Sequence, residues 1–92
     1  MSATSAARIT LYGRVQGVGF RNYVLKEAGR LSVYGCVKNM PDGSVLVVAE
    51  GSTANLKAFE KVLKKGPLLA SVSSINIENL PPTGEFTSFS VL

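Results

Sequence analysis

The sequence predicts an α+β fold, in which two helices cover one face of an antiparallel sheet. Two observations support this prediction. Short strand-like segments, either alternating or rich in valine, are separated in the chain by two amphipathic segments with helical spacing of the apolar residues. Turn and stop signals rich in Gly and Pro lie between these segments. The order strand, helix, strand, strand, helix, strand therefore indicates one sheet with both helices packed against it.

The N-terminal third contains a strand, a loop and a helix. Ile9 and Leu11 alternate with polar residues from position 8 to position 12, which predicts the first strand. A loop with three glycines in seven residues follows at 13–19. Apolar residues at helical spacing then predict a helix over 20–31. Residues 1–7 are small and polar, so we expect a flexible tail there and a single domain over 8–92.

The remaining elements follow from turn chemistry and periodicity. The Pro-Asp-Gly turn at 41–43 predicts a hairpin between strands at 34–40 and 44–50. Ser52 or Thr53 is expected to cap a second helix, which ends at Gly66-Pro67. Alternation over 75–78 predicts a fourth strand, and a short terminal strand is expected around Phe89. Together these elements form a ferredoxin-like split βαβ sandwich with one short extra strand at the C-terminus.

Composition excludes several kinds of chemistry. The 92 residues contain no histidine and one cysteine, Cys36. The chain therefore offers no Ser-His or Cys-His nucleophile system, no histidine-ligated metal and no intramolecular disulfide. The net charge of +4 suits an anionic ligand without selecting one. We see no membrane span and no secretion signal, so a cytoplasmic location is expected.

The glycine-rich loop is a candidate anion site. It lies between a strand and a helix N-terminus, where backbone N–H groups can converge on one ligand and the helix dipole adds positive potential. Arg21 follows in the first helical turn, where a cation is unfavourable unless it binds an anion. The alternative is a flexible turn beside a surface arginine. The spacing does not match a nucleotide-binding motif.

Asn39 is a candidate because it ends the second strand. It is also a common residue type at turns, and that reading is open. Its carboxamide can instead hold a water molecule by accepting one hydrogen bond and donating others, although it cannot act as a general base. Sequence spacing alone does not establish that Asn39 reaches the glycine-rich loop.

Two segments, LYGRVQGVGFR at 11–21 and GCVKN at 35–39, carry a resemblance to one known family. The first resembles the loop signature of the acylphosphatases, and the second resembles the other signature of that family. The resemblance extends through Gly66-Pro67 to Phe89 and so covers nearly the whole chain. One position departs from the family pattern, because Cys36 replaces an aromatic residue. This departure puts the packing near Asn39, and hence the rate, in question.

The resemblance implies an enzyme that hydrolyses the carboxyl–phosphate bond of acyl phosphates. Arg21 would bind the substrate phosphate, and Asn39 would orient the attacking water. Backbone N–H groups of the loop would complete the phosphate site; these belong to Val15, Gln16, Gly17, Val18, Gly19 and Phe20. The resemblance implies no metal, no cofactor and no covalent phosphoenzyme. We expect a monomer that acts on a small-molecule acyl phosphate and binds neither nucleic acid nor membrane.

The alternative from another class is a basic ferredoxin-like module that binds nucleic acid without catalysis. Sheets that bind RNA place paired aromatic residues on their central strands. The candidate central strands here read ITL at 9–11 and VLVV at 45–48, with no aromatic residue. A regulatory ligand-binding module is a third alternative. A pseudoenzyme of this kind would keep the fold and lose Arg21 or Asn39, and both residues are present.

Overall fold

The computed structural model describes residues 4–92 and contains the predicted order of helices and strands. The elements are β1 (Thr4–Arg14), α1 (Phe20–Arg30), β2 (Tyr34–Asn39), β3 (Val45–Ser52), α2 (Thr53–Lys65), β4 (Ser71–Leu80) and β5 (Phe89–Val91). The predicted α+β, ferredoxin-like fold with a short additional strand is therefore confirmed.

The strands form one sheet in the order β4-β1-β3-β2-β5. β3 pairs antiparallel with both β1 and β2, and β4 pairs antiparallel with β1. The short strand β5 pairs parallel with β2, a detail that the sequence pattern does not specify. Its direction follows from the path of the chain. Since β2 and β4 point in opposite directions, a strand that reverses the direction of β4 runs parallel to β2.

The first strand begins earlier than predicted. β1 starts at Thr4 rather than at position 8, so residues 4–7 are not the expected flexible tail. Ala6 and Ala7 are buried and lie opposite Glu50 and Ala49 of β3. Small residues give little hydrophobic periodicity, so this part of the strand is defined by its pairing partner and not by its own pattern. The rest of the predicted tail, residues 1–3, lies outside the described residues.

The core lies between one face of the sheet and the two helices. Phe20, Val24 and Ala28 of α1 are buried, as their helical spacing predicts. The buried residues of α2 are Leu56, Phe59 and Leu63. They pack against the buried side chains of the sheet, mainly Ile9, Leu11, Val37, Val45, Val47 and Ala49. Each large apolar side chain buried here contributes about 1.5–3 kcal/mol to folding.

The ends of α2 follow the predicted signals. The Ser52 hydroxyl accepts a hydrogen bond from the Asn55 N–H at 3.1 Å, which caps the N-terminus. The helix ends at Gly66, whose N–H donates to the Val62 carbonyl.

Within residues 4–92, no helix has both the length and the apolar character needed to cross a bilayer.

A buried carboxylate holds the connection between β4 and β5. Glu50 of β3 is only 5% exposed and lies on the face of the sheet away from the helices. Its carboxylate accepts hydrogen bonds from the Gly84 N–H at 2.6 Å and from the Thr83 hydroxyl at 3.3 Å. These bonds anchor the connecting loop across the sheet and so help to bring β5 to the edge of β2.

The close approach of β2 and β3 makes a testable prediction about Gly35. This residue has φ +149°, and a Cβ atom there would lie 1.8 Å from the Val48 carbonyl oxygen. The clashing atoms belong to the backbone of β3, which cannot move aside as a flexible side chain can. Gly35→Ala is therefore expected to lower the free energy of unfolding by about 3 kcal/mol or more.

The free energy of unfolding is measured by urea denaturation, and Gly29→Ala is the matched control for Gly35→Ala. Gly29 is exposed in α1, has no positive φ, and has open space where a Cβ would lie. Alanine has the higher helix propensity, so this change should raise the free energy of unfolding by up to about 1 kcal/mol. Equal stability of the two variants would contradict the steric argument at Gly35.

Candidate active site

The loop between β1 and α1 presents free backbone donors. Gly17 and Gly19 have φ values of +72° and +78°, which favour glycine. Gly19 is the N-cap of α1, and no side chain caps this helix end. The first N–H groups of a helix have no acceptor within the helix. They are therefore available to a ligand, and the positive end of the helix dipole points toward it.

A pocket of about 250 Å³ opens beside this loop. The loop, the first turn of α1 and the ends of β2 and β5 contribute to its wall. The lining residues are Val15, Gly17, Gly19, Phe20, Arg21, Asn22, Asn39 and Val91. The tertiary structure thus brings the two predicted site residues Arg21 and Asn39 to one cavity.

Arg21 is an exposed and unpaired cation. Within the described part of the chain, its guanidinium has neither an ion-pair nor a hydrogen-bond partner. Arg8 and Arg30, in contrast, contact carboxylates of Glu78 and Glu27 at 2.7 and 2.6 Å. A guanidinium beside the free N–H groups of a helix start makes a strongly positive site. Such a site suits an anion that accepts two parallel hydrogen bonds.

Asn39 carries an unsatisfied buried atom. It is the last residue of β2 and lies opposite Val45, on the side of the sheet that the helices cover. Its Oδ1 atom is buried and has no hydrogen-bond partner among residues 4–92. Leaving a buried acceptor unsatisfied costs about 1–3 kcal/mol. A group retained at such a cost is a candidate for a functional role.

The six predicted loop residues divide into two groups. Val15, Gly17, Gly19 and Phe20 line the pocket, whereas Gln16 and Val18 do not. The Val18 side chain packs against the core. The Gln16 carboxamide donates hydrogen bonds to the backbone carbonyls of Met40 and Ser44 at 2.8 and 2.9 Å. The Val15 N–H donates to the Gly13 carbonyl at 3.1 Å, so it is not a free donor in this structure. Participation of the other five N–H groups in phosphate binding stays a prediction.

Two lining residues were missed from the sequence. Asn22 follows Arg21 in the first turn of α1, where a polar side chain at a helix start was an available signal. Val91 belongs to β5 and reaches the pocket because β5 pairs with β2, with Val91 opposite Val37. Periodicity carried no signal for that pairing, since it depends on how the preceding loop crosses the sheet.

The turn after Asn39 is tightly bonded. The Asp42 carboxylate accepts hydrogen bonds from the Ser44 hydroxyl at 2.6 Å and from the Ser44 N–H at 2.9 Å. These bonds hold the pKa of Asp42 below its usual value of 3.8, and the bond from the Ser44 hydroxyl has the larger effect. The turn that follows Asn39 is therefore ordered by local hydrogen bonds of its own.

Cys36 and Asn39 lie on opposite faces of the sheet. Side chains alternate along β2, where Gly35 and Val37 are buried while Cys36 is half-buried. Cys36 is a free thiol opposite Val48 of β3. Any effect of the small residue at this position on Asn39 must therefore act through the backbone of β2, because the two side chains do not share a face.

Comparisons with known proteins agree with this fold. The family model described as Acylphosphatase matches residues 7–91. A protein named acylphosphatase from Methylococcus capsulatus is 40% identical over 84 residues, which is 91% of each chain. Another from Pseudomonas aeruginosa is 48% identical over 82 residues, covering 85% of this chain and 90% of that protein. The crystal structure of acylphosphatase from Bacillus subtilis superposes with a TM-score of 0.92 at 36% identity, covering 96% of this chain and 98% of that chain.

The sequence and the ferredoxin-like fold are thus shared with proteins of one family over nearly the whole chain. The chain belongs to the acylphosphatase family of hydrolases.

The hydrogen bonds at Asp42 predict a pH dependence of the turn. Because the pKa in the folded state is lowered, the stabilisation is complete above pH 3.8 and is lost as the pH falls through the folded value. Asp42 is the only aspartate in the sequence. A carboxyl titration by NMR should place its pKa below 3.8.

Ser44→Ala removes the hydroxyl donor and keeps the backbone donor. The pKa of Asp42 should therefore rise in this variant and stay below its usual value, since one hydrogen bond is lost and one remains. An unchanged titration in Ser44→Ala would contradict the assignment of the shift to the hydroxyl.

Proposed function

We propose that this acylphosphatase-family enzyme hydrolyses acyl phosphates to a carboxylate and inorganic phosphate by direct in-line attack of water on phosphorus. The observation that carries the proposal is the shared pocket. In it, the Arg21 guanidinium, a helix start without a side-chain cap and the strand-end residue Asn39 surround one cavity, and the guanidinium has no partner among residues 4–92.

Arg21 and the loop amides would hold the phosphate. Three phosphate oxygens carry the charge in phosphoryl transfer, and catalysis depends on positioning and electrostatic stabilisation. The guanidinium can donate two parallel hydrogen bonds to two of these oxygens. Backbone N–H groups from Gln16 to Phe20, together with the helix dipole, would meet the remaining charge, whereas the Val15 N–H already donates to the Gly13 carbonyl at 3.1 Å. The start of α1 without a side-chain cap, and the lack of a protein partner for Arg21 among residues 4–92, support this role.

Asn39 would orient the attacking water. Its carboxamide combines one acceptor oxygen with two donor hydrogens, and a half-turn about the Cβ–Cγ bond exchanges their positions. No hydrogen bond from residues 4–92 holds the amide in its present orientation, so it can turn toward the pocket that Asn39 lines. Such an amide would fix the water opposite the leaving carboxylate, so that the attack lies in line.

The reaction requires no general base from the protein. The water oxygen forms a bond to phosphorus while the bond between phosphorus and the acyl oxygen breaks. The carboxylate leaves with the electron pair of that bond, one proton of the water passes to a phosphate oxygen of the substrate, and the other stays on the attacking oxygen. A carboxylate is a good leaving group, so little acid catalysis is required, and a phosphate monoester with a poor leaving group should react far more slowly.

Replacement of either proposed catalytic residue tests the assignment. Turnover of a synthetic aryl acyl phosphate should fall on the order of 10³-fold in Arg21→Ala, because charge stabilisation at phosphorus is lost. In Asn39→Ala it should fall about 10²–10³-fold, because the water is no longer positioned. Phosphate release is the measurement, with a phosphate monoester as the substrate control.

Arg14→Ala is the matched control for Arg21→Ala. Arg14 is also exposed, and its guanidinium has no ion-pair or hydrogen-bond partner in the described chain, yet it does not line the pocket. It should keep turnover within about threefold of wild type, as expected for a solvated charge. Near wild-type turnover of Arg21→Ala or Asn39→Ala would rule out the role proposed for that residue.

Metal chelation provides a second test. The charge on the substrate is proposed to be met by one guanidinium and several backbone donors, so the reaction needs no cation to neutralise it. Hydrolysis of the acyl phosphate should therefore proceed at the full rate in excess chelator. Loss of activity on chelation, restored by adding a divalent cation, would overturn this part of the proposal.

A further inference from the structure

We propose that Gln16 is a positioning residue for Asn39. Its carboxamide joins the glycine-rich loop to the β2–β3 turn and thereby fixes the distance between the phosphate site and the residue that directs the water. This inference rests on the function proposed above for Asn39, and it assigns Gln16 a role that does not involve contact with the substrate.

The two hydrogen bonds of Gln16 carry the inference. Its Nε2 atom donates to the Met40 carbonyl at 2.8 Å and to the Ser44 carbonyl at 2.9 Å. Both N–H groups of the amide are therefore committed to the turn. Gln16 is half-buried and does not line the pocket. It is therefore better placed to hold protein than to bind substrate.

The two acceptors lie where a hydrogen bond controls the shape of the turn. The Met40 N–H donates to the Ser44 carbonyl at 2.9 Å, and the Gly43 N–H donates to the Met40 carbonyl at 3.1 Å. Gln16 thus binds the two carbonyls that already close the turn. Met40 follows Asn39 directly in the chain. A shift of the turn relative to the loop is therefore transmitted to Asn39 through one peptide bond.

This arrangement predicts which kinetic constant changes. The phosphate would be held by Arg21 and the loop amides, whereas the water would be aimed by Asn39. Loosening the link should therefore lower kcat, while the affinity for inorganic phosphate changes little. Misplacement of a positioning group by about 1 Å can cost on the order of 10²-fold in rate.

Gln16→Met is the main test, because it keeps the length of the side chain and removes both donors. We expect kcat for an aryl acyl phosphate to fall roughly 10- to 100-fold. The inhibition constant of inorganic phosphate should stay within about threefold of wild type, because no pocket contact is lost. Gln16→Glu, which places a carboxylate against two carbonyl oxygens, should lower kcat at least as far.

Lys38→Ala is the matched control. Lys38 precedes Asn39 in β2, is exposed and points to the opposite face. Its removal should leave kcat within about twofold of wild type, as expected for a solvated side chain. A fall in kcat in this variant equal to that in Gln16→Met would show that any change beside Asn39 has the same effect, and the proposed link would be wrong.

A double variant separates this role from a purely structural one. If Gln16 acts through Asn39, Gln16→Met should cause less than about a twofold further loss in the Asn39→Ala background. A full multiplicative loss there would overturn the proposal, as would wild-type kcat in Gln16→Met or a parallel loss of phosphate affinity. Normal turnover of Asn39→Ala would instead remove the proposed function of Asn39 itself.

A measurement on the wild-type protein keeps the inference testable even where a variant does not fold. Gln16 is the only glutamine in the sequence, so its carboxamide protons give one assignable pair in an NMR spectrum. Two hydrogen bonds to carbonyls should slow the exchange of both protons with solvent, in the presence and absence of inorganic phosphate. Rapid exchange of the pair would contradict the link directly.

Discussion

The pairing of β3 on both of its edges is the constraint on which the site depends. Because β3 is antiparallel to β1 and to β2, these two strands run in the same direction and end at the same edge of the sheet. Their ends are separated by two strand spacings, about 10 Å. That separation lets the loop after β1 reach the turn after β2, as the Gln16 side chain does, and it places both segments beside one pocket.

The site retains features that oppose stability. Arg21 lies in the first turn of a helix, where the dipole disfavours a cation, and it has no partner in the described chain to offset this. Gly19 leaves the start of that helix without a side-chain cap, although Ser52 caps the other helix. The buried Oδ1 atom of Asn39 has no hydrogen-bond partner within the described residues. A bound oxyanion would supply a partner for the Arg21 guanidinium and for the start of the helix. A turn of the Asn39 amide toward an ordered water in the pocket would supply the third partner, so the proposed function accounts for all three features together.

Sequence patterns performed well where one physical signal dominated. The apolar stripes of both helices and the Ser52 cap lie where spacing and cap chemistry predicted them. Sequence patterns failed to give the bounds of a strand where the periodic signal was weak. Thr4 to Ala7 extend β1 although small residues show no alternation, and β4 runs from Ser71 to Leu80 although only 75–78 alternates clearly. In both cases hydrogen bonding to a neighbouring strand extends the element, and that neighbour is distant in the sequence.

By itself, the sequence determined the order of the elements and the chemistry available at the loop, because hydrophobic period, glycine content and charge are local properties. It also indicated Arg21 and Asn39 as candidates through their residue types and the resemblance to a family. Only the tertiary structure decided that they share a pocket with Asn22 and Val91, and that the Gln16 side chain bonds to the hairpin instead of lining that pocket. The reason is physical: strand order and register depend on contacts between distant segments, and no local pattern encodes the distance between two loops.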